Sequence, residues 1–127
     1  MSFAISPDVL DTYYCGGFNP VRPVFDLVAH LYRQKAHSEK TFGPGDRTKG
    51  ILDHIRKELK EIEDVNGQDL EEWIDVIILA CDAAWRSGHS PEEIVAKLQY
   101  KQTKNENREW PDWRTQPIDK AIEHVRT

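Results

Sequence analysis

Four acids with regular spacing carry the chemistry of this sequence: Glu58-x-x-Glu61, then Glu72-x-x-Asp75. A separation of three puts both members of a pair on one face of a helix, about one turn apart. The two pairs lie on consecutive helical segments joined by a short loop, so the helices are expected to be antiparallel with the pairs roughly facing. At about 5 Å and an effective dielectric of 20, two carboxylates repel by roughly 3 kcal/mol. Summed over the set, that is too much for a domain stable by about 5–15 kcal/mol, so protons or cations must relieve it. An all-oxygen ligand set selects a hard cation, Mg²⁺ or Mn²⁺.

On a helical wheel the apolar residues Ile51, Ile55, Leu59 and Ile62 gather on one side of their helix. Glu58 falls about 20° from that face, on the shoulder of the core, where a solvated charge would not normally sit. The competing structural readings are a solvated acidic face, or Glu72 acting as the third-position partner of a capping Asp69. His54 shares the shoulder with Glu58 and is read as a neighbour or donor more readily than as a ligand. No Glu-x-x-His occurs, which argues against a ferritin-like di-iron site.

Five segments must position these residues. After Pro23, the set Phe25, Val28, Ala29, Tyr32 and Ala36 predicts a first helix. The stretch Thr41 to Asp46, with Gly43-Pro44-Gly45, breaks it. The second helix holds Glu58 and Glu61 and stops near Asn66-Gly67. The third, about Leu70 to Arg86, is apolar almost all round, which belongs at a bundle centre or a subunit interface. Its acids Glu71, Glu72, Asp75 and Asp82 form one stripe. Ser90-Pro91-Glu92-Glu93 starts a fourth helix, reaching about Arg108, through a capping box with Pro at the first helical position. Its inward face, Ile94, Val95 and Leu98, turns cationic further along at Lys101, Lys104, Asn105 and Arg108, where an anion or the neighbouring acids can be met. A short helix from Pro117 to Val125 is expected to close the chain. The fold class is all-α: an antiparallel bundle of about four main helices, oligomeric because of its third helix. Residues 1–20 read as an irregular arm with a short turn near Pro7 to Asp11, and residues 21–127 as the helical domain.

The chain has 127 residues and a formal net charge of −5, which disfavours bulk nucleic-acid binding. The apolar run Val76 to Cys81 is far too short for a membrane span, and no basic segment followed by an apolar one suggests a signal peptide. With two cysteines, Cys15 and Cys81, a single disulfide is one reading and a reduced cytoplasmic protein the simpler one. No P-loop and no G-x-G-x-x-G pattern occurs, so phosphates would have to be held by metals and side chains.

In combination these motifs resemble the all-α nucleoside triphosphate pyrophosphohydrolases of the MazG superfamily. The similarity runs over about residues 22–114, from Phe42-Gly43-Pro44-Gly45-Asp46-Arg47-Thr48 through both acid pairs to Lys104-Asn105-x-x-Arg108 and Trp110-Pro111-Asp112-Trp113. It is similar to the MazZ-type branch of dATP/dGTP pyrophosphohydrolases, some of them from phages that replace adenine with 2-aminoadenine. The resemblance implies cleavage between the α- and β-phosphates, giving a monophosphate and pyrophosphate. It implies Mg²⁺ held by Glu58, Glu61, Glu72 and Asp75, with Glu61 favoured as base, Glu58 the other catalytic carboxylate and Asp82 behind the ligands. Lys101, Lys104, Asn105 and Arg108 would contact the triphosphate, with Arg47 and His54 further substrate contacts. The loop before the second helix would meet the purine, unless it only starts that helix through Asp46 or Thr48. Trp110 and Trp113 are expected to be packing anchors. The partner implied is a small nucleotide, with no nucleic acid, no membrane and a homo-oligomer, dimer or tetramer. Two other readings stay open: a non-catalytic helical interaction module, and the same chemistry on dUTP or dCTP.

Overall fold

Four α-helices make up the described residues: α1 (Leu27–Phe42), α2 (Thr48–Asp64), α3 (Leu70–Arg86) and α4 (Pro91–Glu106), followed by a 3₁₀ turn, Trp113–Thr115. The computed structural model describes residues 24–126. The expected arm over residues 1–20, its turn near Pro7 and the Cys15 half of any disulfide lie outside the described residues. No strand occurs among the described residues.

Local chemistry starts three of the four helices. Asp26 accepts the Ala29 N–H at 3.1 Å before α1, and Asp69 accepts the Glu71 N–H at 3.0 Å before α3. Ser90 and Glu93 close a reciprocal capping box with Pro91 at the first turn of α4. At α2 the N-cap position is Arg47, with no side-chain cap bond, so neither Asp46 nor Thr48 is the cap expected; Asp46 instead folds the approach, accepting both the N–H and the hydroxyl of Thr48 at 2.8 and 2.6 Å. These bonds also hold the Asp46 carboxyl below the usual range.

α3 is the hub, packing on α1, α2 and α4, while α1 also packs on α4. The α2–α3 pair is antiparallel, since Glu58 lies with Asp75 and Glu61 beside Glu72. Trp73 locks their connection by donating its indole N–H to the Gly67 carbonyl at 3.1 Å. Gly67 has φ +68°, and a Cβ there would stand 3.3 Å from the Trp73 ring, so the turn requires glycine twice over. α1 and α2 do not pack on each other. A gap floored by α3 separates them, and it is the space that matters for function.

Three expectations are corrected. The predicted face of α1 is rotated: Leu31 is 1% exposed, whereas Phe25 is 69% exposed. Polar Gln34 and Ser38 turn inward beside Leu31, because this side of α1 faces the gap and the buried charges of α3. α4 stops at Glu106, and neither Trp110 nor Trp113 is buried as a packing anchor would be: Trp110 is 42% and Trp113 72% exposed, although the Trp110 indole donates to the Asn105 carbonyl at 2.7 Å. The Pro117–Val125 helix does not form. A turn at Pro117–Lys120 leads into extended chain, with the Val125 N–H donating to Glu109 O at 2.8 Å and His124 edge-on to Trp110. A nine-residue segment cannot recover helix nucleation without a face to bury, and Ile118 is fully exposed.

The buried apolar core is small: Leu31, Ile51, Ile62 and Trp85. By contrast Leu59 of α2, Leu70, Trp73, Ile74, Ile77 and Ile78 of α3 and Leu98 of α4 are all exposed. The all-round apolar character of α3 therefore exceeds what the described residues cover. Among the described residues no helix is long and apolar enough to cross a membrane.

Candidate active site

Glu58, Glu72 and Asp75 each offer a carboxylate oxygen, and these oxygens all lie within 4.8 Å of one another. Opposite oxygens of an octahedral Mg²⁺ shell stand about 4.2 Å apart, so little movement would seat a hard cation. The chemistry of the site favours one. Glu58 is only 8% exposed, and both its Oε2 and that of Glu72 are buried with no hydrogen-bond partner among the described residues. An acceptor-only oxygen buried without a donor is costly, and a cation satisfies it. His54 Nε2 lies 3.2 Å from Glu58 Oε1, fixing that oxygen and leaving the other toward the cluster.

Glu61 stands outside the group of three, exposed on α2, yet it is the chief influence on Glu72. Glu61 in hydrogen-bonding reach, then partial burial and Glu58, push the Glu72 carboxyl up to about 7. The site therefore retains a proton near neutrality, which is the relief that crowded acids require. Glu72 is also the third residue of α3, but its carboxylate faces Glu61 and Glu58, so it is no mere partner of the capping Asp69.

Beside the cluster, the gap between α1 and α2 holds a cavity of about 530 Å³. Glu58 and Asp75 form part of its wall, with His54 and Arg47 from the α2 side. α1 adds His30, Arg33, Gln34, His37 and Ser38, and α3 adds Ile78, Asp82 and Trp85. One chamber thus joins a metal-fit acidic end to two guanidinium groups and an apolar floor, which suits a phosphorylated, partly aromatic ligand. Sequence reasoning placed Arg47 and His54 here but missed Arg33, His37, Gln34 and Trp85. Their one available signal was the poor hydrophobic face of the first helix, whose turns after Leu31 are polar where a core helix would be apolar.

Asp82 lies with the cavity but serves another purpose. It is 7% exposed and accepts from Ser38 Oγ at 2.6 Å and Arg86 Nε at 3.0 Å. Arg86 also donates to the carbonyls of Gly43 at 2.7 Å and Gly45 at 2.9 Å, and to Ser38 Oγ. Its guanidinium thereby bolts the Gly43–Asp46 loop to α1 and α3.

The cations of α4 and of the segment just after it lie elsewhere. Arg108 donates to Asn105 Oδ1 at 3.2 Å and lines a second cavity, of about 430 Å³, with His124 and Arg126. Burial, followed by the charges of Arg108, Arg126 and Lys101, pushes the His124 pKa down. Lys104 is exposed on the same helix and lines neither cavity. Within one chain, Lys101, Asn105 and Arg108 are together, but not at the acidic cluster.

A family model for dATP/dGTP pyrophosphohydrolases matches residues 31–127, spanning all of α2, α3 and α4 and the greater part of α1. The chain belongs to the dATP/dGTP pyrophosphohydrolase family, and is a nucleoside triphosphate pyrophosphohydrolase. No curated protein and no solved structure matches it.

Proposed function

We propose that this enzyme hydrolyses dATP and dGTP to the monophosphates and pyrophosphate, using Mg²⁺ (or Mn²⁺) held by Glu58, Glu61, Glu72 and Asp75. The observation that carries this reading is the pair of orphaned, buried carboxylate oxygens on Glu58 and Glu72, converging with Asp75 beside the α1–α2 cavity. Bound there, a hard divalent ion supplies charge neutralisation for the phosphates and acidifies water.

The protein's own groups do the rest. His54 holds Glu58 in orientation. Glu61, exposed at the edge of the cluster, accepts the proton from the attacking water. Arg47, with Arg33 across the gap, steadies the phosphates from the cavity side, as forked donors suit phosphate oxygens. Lys101, Lys104, Asn105 and Arg108 approach the triphosphate from a neighbouring copy, in a homo-oligomer that covers the exposed apolar side chains of α3. This arrangement is supported by the separation of the α4 cations from the acids within one chain and by the uncovered Trp73, Ile74 and Ile77.

A panel of dNTPs and NTPs, dUTP and dCTP included, assayed with Mg²⁺ for monophosphate and pyrophosphate, tests the reading. Purine deoxynucleotides should lead the panel. Glu58→Gln and Asp75→Asn should each lose turnover by at least about a hundredfold, the scale of several kcal/mol of lost charge stabilisation, with circular dichroism unchanged. Variants as active as the parent would make the acids a solvated face and overturn the assignment.

A further inference from the structure

We infer that Gln34, poised by His30, reads position 6 of the purine and can invert its polarity, so that one cavity accepts both 6-amino and 6-oxo bases. The inference rests on the reading of the chain as a dATP/dGTP hydrolase and deepens it.

The two side chains lie one turn apart on α1 and both line the cavity. Gln34 Nε2 and His30 Nε2 are 2.7 Å apart, while Gln34 Oε1 is buried with no partner among the described residues. A primary amide carries a donor on one side and an acceptor on the other, and a neutral imidazole nitrogen is donor or acceptor according to its tautomer. The pair therefore has two equivalent arrangements. With His30 Nε2 unprotonated, Gln34 donates to it and keeps Oε1 for a ligand's donor. With the proton on His30 Nε2, the Gln34 amide turns over, accepts that proton through Oε1 and offers its NH₂ to a ligand's acceptor.

Nothing charged fixes the choice. The His30 ring meets Phe25, at 5.2 Å between centroids, and among the described residues no carboxylate lies within ion-pair distance of it. Adenine presents an amino donor at position 6 where guanine presents a carbonyl acceptor. A reader of fixed polarity would reject one of them, since a polar group left unpaired in a closed site discriminates strongly. Gln34 occupies a suitable place for this contact. It sits one turn before Ser38, which is bonded to Asp82, and so lies at the level of α3 between Asp82 and the metal-fit Asp75.

His30 is thus a positioning residue, and its test is a ratio rather than a rate. His30→Glu can only accept, which locks Gln34 with Oε1 free; His30→Lys can only donate, which locks the amide the other way. Expected is a shift in the dATP:dGTP ratio of kcat/KM of about tenfold or more toward dATP in H30E and toward dGTP in H30K. The binding of non-cleavable α,β-imido-dATP and α,β-imido-dGTP should shift with the same signs. Gln34→Glu, an acceptor alone, should favour dATP and repeats the test should either His30 variant lose helicity. Ratios that stay at the parental value, or move in the same direction in both His30 variants, overturn the inference while leaving purine hydrolysis intact. A parent that turns over neither dATP nor dGTP overturns the functional reading itself.

Discussion

Glu72 sets the pH behaviour of the site. Its folded-state pKa, about 7, lies above the ordinary carboxylate value of 4.5. Between those two values the folded chain holds a proton that the unfolded chain has released, so stability falls as pH rises through that window. The metal-free protein should melt at progressively lower temperature from pH 4.5 to pH 7, and Glu72→Gln should flatten this dependence in a thermal-melt series. Divalent ion should restore stability most at the alkaline end, since the bound ion replaces the proton. At this scale the sequence was informative where spacing alone decides geometry. Glu58 was legible as a shoulder residue because a helical wheel fixes its angle to Ile51 and Ile62, and it is indeed buried beside them. Gln34 and Trp85 were not, because their importance comes from a cavity wall that forms only when α1 is placed against α3.

Among the elements, the loop between α1 and α2 depends on one buried arginine. The Arg86 side chain is 3% exposed and its Asp82 partner 10% exposed, so truncating either leaves an unpaired charge in the interior. Arg86→Met should cost about 3–5 kcal/mol in denaturant unfolding and increase amide exchange in the Gly43–Asp46 segment. The starts of α3 and α4 were readable because each is a local event: Asp69 and Ser90 cap within three residues of themselves. The arginine network was not, since Ser38, Gly43 and Asp82 are distant in sequence and nothing in their types announces a meeting. The same reason explains the rotated face of α1. Leu31 was passed over in favour of Phe25 and Tyr32, although Tyr32 is spent on α4, its hydroxyl donating to the Glu92 carboxylate at 2.7–2.8 Å. The missing last helix is the reverse case, a local pattern with no tertiary surface to justify it.

At the scale of the whole molecule, the balance between covered and uncovered apolar surface among the described residues supports the proposed homo-oligomer. Among the described residues four apolar side chains are buried in the core, whereas Trp73, Ile74 and Ile77 on the central helix are each at least 40% exposed. Contiguous apolar surface of this kind marks an interface. Sedimentation should find an oligomer, and Ile77→Glu, which places a charge in that patch, should drive it toward monomer. If the α4 cations act in trans, the same variant should lose turnover along with assembly, and activity should become concentration-dependent. The all-α class and the apolar surplus of the third helix were both visible in the chain. The pairing of helices was visible only in part, because periodicity gives each helix a face but does not say which faces stay apart.

α1 and α2 share a floor without packing on each other, and Arg86 ties the end of α1 to the loop that joins them. Such an arrangement works like a pair of compasses. α1 is 16 residues long, roughly 24 Å of arm, so a swing of only about 5° at the clamped end moves its far tip by about 2 Å. Any change of angle at the pivot would thereby be magnified at the far end, and a substitution at Arg86 would reach the cavity through Ser38 and Asp82, two of its wall residues, as well as through the arm.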